Sequence, residues 1–147
     1  MEAKETAASE DPVLKLLDGW SNNPGNVREL FLKLKEIISK KPEVVLDFKA
    51  RPGVSYSLRG SVEKPSEKEK RFFVVVDVID DDPDNRWLSV CFYEEWVTDP
   101  KGEGNVVPEG LFGMDGYCFD MFEYNESGLS YVAQRVDEAY AHASLKD

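Results

Sequence analysis

The chain has one histidine and two cysteines among 147 residues, and no apolar run approaches the ~18 residues that span a bilayer. Each scarcity excludes something. His142 stands near the C-terminus, where nothing in the neighbouring sequence orients it as a base. Serine, threonine and cysteine nucleophiles therefore lack a histidine partner, and the commonest hydrolase arrangements fall away. Cys91 and Cys118 form no Cys-x-x-Cys pair and have no nearby histidine, which removes the usual zinc patterns. Both fall in predicted strands, where buried free thiols are expected, although spacing alone leaves a disulfide open. The opening Met1-Glu2-Ala3-Lys4-Glu5 lacks the apolar core of a secretory signal, so the expectation is a soluble, cytoplasmic protein without a membrane partner.

Positive charge is scarce in one half only. Residues 1 to 70 carry 13 Lys/Arg against 12 Asp/Glu, and residues 71 to 147 carry 5 against 17, so the net charge of −11 belongs to the second half. Such a surface repels the phosphates of a duplex. Ordinary nucleic-acid binding is disfavoured, and a basic protein partner is expected instead.

The chain is long enough for one domain with a single core, and it contains no internal repeat. Its centre is Phe72 to Ile79, an aromatic and β-branched run, followed by the turn Asp80 to Asn85 and a second strand from Trp87 to Trp96. Residues 1 to 10 read as a disordered lead to a single α+β domain over 11–147. Asp11-Pro12 starts a helix reaching about Trp20, with Val13, Leu14, Leu17 and Trp20 inward. Asn26, with Glu29 three residues on, starts a second through a capping box, and Val27, Leu30, Phe31, Leu34, Ile37 and Ile38 mark its apolar stripe.

Val44 to Lys49 and Val54 to Val62 read as strands, the second with a wet face of Ser55, Ser57, Arg59 and Ser61. Glu63 to Lys70 is a charged loop. Residues 98 to 116, with two prolines and five glycines, read as a long irregular loop of the kind that often carries function. Tyr117 to Tyr124 gives the last strand. A closing helix buries Leu129, Val132, Ala133, Val136 and Tyr140 and keeps Gln134, Arg135, Asp137 and Glu138 wet. The order predicts an α+β fold with an antiparallel sheet of four to five strands and the N-terminal and C-terminal helices on one face.

Asp80, Asp81, Asp82 and Asp84 form the densest acidic feature, read as an exposed acidic surface. The turn fails as a calcium loop, because Asn85 stands where the loop glycine belongs and Cys91 where the bidentate glutamate belongs. Gly110, Gly113 and Gly116 lack the strand and helix that a phosphate loop needs. Asp77, Glu94, Glu95 and Asp120 offer carboxylates across strands, as any acidic sheet does, so no catalytic constellation, metal or cofactor is expected. Tyr56, Trp87, Tyr93, Trp96 and Tyr117 are candidates for an aromatic-lined pocket, whose acidic rim would favour cationic ligands.

The Lys49-Ala50-Arg51-Pro52-Gly53 turn ahead of a strand and the Asp137-Glu138-Ala139-Tyr140 helix end, together with the order of elements over roughly residues 27 to 143, resemble the small MmcQ/YjbR-like α+β proteins. The resemblance implies a curved antiparallel sheet between an N-terminal and a closing helix, and it implies no established activity. The His-Trp-Asn-like stretch of those proteins has no counterpart near Met114 to Tyr117. The expected function is a non-enzymatic protein-interaction module for a basic partner. A small-molecule-binding domain, and a DNA mimic or toxin antagonist, are the alternatives.

Overall fold

A computed structural model describes residues 11–63 and 71–145; the expected disordered lead, and the charged loop beyond Glu63, lie outside the described residues. Helix α1 (Pro12–Asp18) begins where Asp11 accepts a hydrogen bond from the amide of Val13 at 2.9 Å. Leu16 is its buried residue, Val13 and Leu17 pack against the core as expected and Trp20, just beyond the helix, is buried too; Leu14 is exposed, a correction at that one position. Helix α2 (Val27–Ser39) buries Val27, Leu30, Phe31, Leu34 and Ile38. Its start differs from the expected capping box. Asn26 is left-handed (φ 58°) and makes no side-chain cap, and Asn23 instead accepts from the amide of Arg28 at 2.9 Å and donates to Glu29 at 2.7 Å.

Six antiparallel strands follow: β1 (Val44–Arg51), β2 (Ser55–Val62), β3 (Phe72–Ile79), β4 (Trp87–Tyr93), β5 (Asn105–Leu111) and β6 (Met114–Met121), in spatial order β1-β2-β3-β4-β6-β5. Helix α3 (Glu126–Ala143) closes the chain, with Asn125 accepting from the amide of Gly128 at 2.7 Å. The α+β class holds, and the strand number rises from the expected four or five to six. The extra strand, β5, lies inside the stretch read as a loop, which corrects that reading. It was hidden because Pro108, the left-handed Glu109 (φ 54°) and Gly110 break the period of two at a register shift between Val107 and Leu111. Edge strands and bulges tolerate such a proline, and here Pro108 sits at a register shift on an edge strand.

Helices α1, α2 and α3 meet one face of the sheet. Leu58, Val74, Val76, Val78, Leu88, Val90, Phe92, Phe119 and Met121 join the buried helical residues in one cluster. Each such side chain, once buried, contributes about 1.5–3 kcal/mol. On the opposite face, open in that no described α-helix packs there, a small cluster of Val75, Cys91, Tyr93 and Leu111 forms with Phe72, Trp96 and Cys118 against it. Gly25 (φ 72°) ties the N-terminal segment to the end of β6, since its carbonyl accepts from Tyr124 at 2.7 Å and an added Cβ would lie 2.6 Å from the carbonyl oxygen of Phe122.

Three charged or reactive groups depart from their expected settings. Cys91 and Cys118 are register partners on β4 and β6 and form a disulfide, so neither is a free thiol. Arg135, expected on the wet side of α3, is buried over the ring of Tyr131 at 4.5 Å and pairs with Glu138 at 3.3 Å. Asp80 is 3% exposed and bonds Arg86 at 2.7 Å, which removes it from the acidic surface.

Candidate functional site

Among the described residues, two concave sites at the sheet stand out. The first follows from strand alternation: β1 and β2 turn their apolar residues to the helices, so the intervening polar ones share the open face. Register then places Lys49 opposite Ser57, Ser57 opposite Asp77, Asp77 opposite Ser89 and Ser89 opposite Asp120, a polar row across five strands. Arg51 and Arg59 flank it. The Arg51-Pro52-Gly53-Val54 turn fixes this register, with Gly53 at φ 85° and the Val54 amide donating to the Arg51 carbonyl at 2.8 Å.

Over the positive end of the row folds the tip of the β5–β6 hairpin, whose two central residues, Phe112 (φ 54°) and Gly113 (φ 84°), both have positive φ. That is the geometry of a two-residue hairpin turn, in which asparagine or aspartate usually precedes the glycine. A phenylalanine there is strained. Its ring meets Phe72 at 5.5 Å and the Arg59 guanidinium at 5.5 Å. Between the tip and β1–β2 lies a cavity of about 210 Å³ lined by Lys49, Arg51, Arg59, Ser57, Asp77 and Phe112 among others. Arg59 Nε donates to Ser57 Oγ at 3.0 Å. Burial pushes the Asp77 carboxyl up from its ordinary value, against the opposing pull of the Ser57 hydrogen bond and of Arg59 and Arg51.

The second site is at the other end of the sheet. The β5–β6 ladder stops at Asn105 opposite Cys118, so residues 119–121 of β6, paired with β4 on one side, have no described strand on the β5 side. A cleft of about 320 Å³ opens there, with Phe119, Met121, Phe122 and Val132 as its apolar part and Glu103, Asp120 and Glu123 as its carboxylates. Phe122 is 63% exposed and stacks on Trp87 at 5.0 Å. None of the three carboxylates has a cation within ion-pair distance among the described residues.

Asp99 organises the rim of this cleft. Its carboxylate accepts from the hydroxyls of Tyr117 and Tyr131 and from the amides of Glu103 and Gly104 at 3.0 and 2.8 Å. Burial works to raise its carboxyl, but these hydrogen bonds outweigh burial and hold it well below the usual carboxylate range. The same carboxylate pushes the Tyr117 phenol up to about 12 through its hydrogen bond, with burial adding to the shift. Thr98 then donates to Glu138 from its amide and hydroxyl at 2.8 and 2.6 Å, locking the segment to α3.

The five aromatics expected to line one pocket are dispersed, and none of them lines either cavity. Tyr56 packs on the helical side beside Phe48, Tyr117 is bound to Asp99, and Trp87 stands on the open face with Phe122. Tyr93 and Trp96 do meet, edge to face at 4.9 Å, and Trp96 also stacks on His142 at 5.9 Å. Asp81, Asp82 and Asp84 are exposed, and Asp84 accepts from Asn22 at 2.6 Å. Among the described residues, no three His, Cys, Asp or Glu side chains gather as a metal-ligand set. No helix among them is long and apolar enough to cross a membrane.

Sequence reasoning missed the cationic groove and Asp99. The first had a visible signal, since Lys49, Arg51, Ser55, Ser57 and Arg59 alternate on either side of a Pro-Gly turn. Compared with protein-family models, curated proteins and solved structures, the chain gives no match, so no function is carried over from another protein.

Proposed function

We propose that the protein is a non-enzymatic interaction module that takes a basic, extended segment of a protein partner in the cleft beside the end of β6. The observation that carries this reading is the coincidence, among the described residues, of a strand edge at 119–121 open on the β5 side with three carboxylates that have no ion-pair partner and an exposed Phe122. A free edge offers main-chain hydrogen bonds to an added strand, and flanking side chains select what adds. Glu103, Asp120 and Glu123 select positive charge, and Phe119, Met121 and Phe122 supply apolar contact. The acidity of the second half keeps polyanions away from the same surface.

The test is a titration of the labelled protein with an extended peptide alternating lysine and leucine, beside its glutamate counterpart. Amide shifts concentrated at 103–104 and 119–123, weakened by added salt and abolished by Asp120→Lys with Glu123→Lys, support the reading. Shifts confined to the 80–84 turn, or equal response to the glutamate peptide, overturn it.

A further inference from the structure

We propose that the open-face groove between β1–β2 and the tip of the β5–β6 hairpin binds the phosphate group of a small organic phosphate monoester. The site is separate from the β6 cleft and has the opposite charge. Lys49, Arg51 and Arg59 face one carboxylate, Asp77, and no acidic group among the described residues lies within ion-pair distance of the three cations. Among the described residues that line the groove, cations outnumber carboxylates three to one, with Asp47 opposite Arg59 in register just outside it, in a chain whose net charge is −11. A phosphate monoester carries a charge close to −2 at neutral pH, and guanidinium groups match its oxygens with paired donors.

The rest of the groove suits an ester better than a bare ion or a polymer. Val75, Leu111 and Phe112 make an apolar wall beside the cations, where the organic part can lie. The cavity of about 210 Å³, with the hairpin tip Gly110, Leu111 and Phe112 on one side, is the size of one small group. Phe112 holds a left-handed backbone at that tip with its ring against Arg59, and backbone strain of this kind gathers where a ligand is clamped. Asp77 serves the empty state. It partly compensates Arg51 and Arg59 through the polar row, and it opposes an incoming anion.

Titration calorimetry with phenyl phosphate, inorganic phosphate and benzoate at matched ionic strength tests the proposal. Phenyl phosphate should bind saturably and more tightly than either of the others. Arg59→Gln should weaken it at least about tenfold, the equivalent of one charged hydrogen bond, and Arg51→Gln, at an exposed position, should act in the same direction with the fold intact. Asp77→Asn should tighten binding, an outcome that damage to the structure does not imitate. Lys15→Gln, on α1, removes one positive charge far from the groove and should leave affinity unchanged. Absence of saturable binding, tighter binding of benzoate, or an Arg51→Gln protein that binds as the parent does would overturn the assignment.

Discussion

Arg86 donates from Nε to Oδ1 of Asp80 at 2.7 Å, with both side chains less than one-tenth exposed, and the pair fastens the end of β3 to the β1–β2 turn. The second Asp80 oxygen accepts from the Gly53 amide at 2.8 Å, while the Asp80 amide donates to the Val54 carbonyl at 2.9 Å. The Arg86 guanidinium lies over the rings of Trp20 at 5.3 Å and Tyr56 at 5.9 Å. Removing one partner strands the other charge in a dry setting. Asp80→Ala should therefore cost about 3–5 kcal/mol by urea denaturation. Asp81→Asn, one residue on and exposed, should stay within about 0.5 kcal/mol. Equal effects at the two positions would return Asp80 to the exposed acidic turn.

The cross-strand disulfide gives a second expectation. Cys91 and Cys118 are 27 residues apart, and a loop of that size constrains the unfolded chain by about 3.5 kcal/mol. Reduction, or Cys91→Ala with Cys118→Ala, should lower the urea midpoint accordingly, with mass spectrometry showing the gain of two hydrogens on reduction. Disulfides persist in oxidising compartments and are rare in reducing ones, so this bond pulls against the cytoplasmic expectation. A protein whose midpoint ignores reductant while its mass changes by two hydrogens would show that the β4–β6 ladder alone holds the strands.

In the core, Phe31 on α2 and Val76 on β3 are both fully buried. Phe31→Ala should cost about 3–5 kcal/mol, because the cavity it leaves adds to the lost transfer energy. Val76→Ala removes two methyl groups and should cost less. Thermal denaturation of both against the parent checks the order, and Leu14→Ala, on the exposed side of α1, serves as the near-neutral reference.

What the sequence displayed was periodicity, and where periodicity governs, the structure follows it. The run at 72–79 is continuously aromatic and β-branched and folds as a strand, and the apolar stripe over 27–39 folds as a helix, although its cap differs. Asp80 was illegible because it stands among four aspartates that look alike, and only the arrival of Arg86 and Gly53 from elsewhere distinguishes it. Arg135 was illegible because its charge places it on the wet stripe, whereas Tyr131 and Glu138 let it lie down in the core. The disulfide depends on strand register, which spacing does not fix. The acidic half was legible, but the cationic groove was masked by averaging charge over whole halves of the chain.

Asp99 gives a pH dependence with a definite sign. Its carboxyl is held below the ordinary range in the folded protein, so near pH 3 to 4 the unfolded chain binds more protons than the folded one. The associated stability is fully present above about pH 4 and is lost as pH falls below that value toward the folded pKa. Tyr117 supplies the opposite limb. Its phenol is raised to about 12, so its contribution is complete below about pH 10 and is lost as pH climbs toward 12. Asp99→Asn keeps the size of the side chain and removes the charge on which both shifts depend. The gap in urea midpoint between parent and Asp99→Asn should be widest between about pH 5 and 9. It should narrow on both sides of that plateau. A gap that stays constant from pH 2 to pH 11 would mean that Asp99 holds the 98–104 segment by shape alone, without the charge that Tyr117 and Tyr131 converge on.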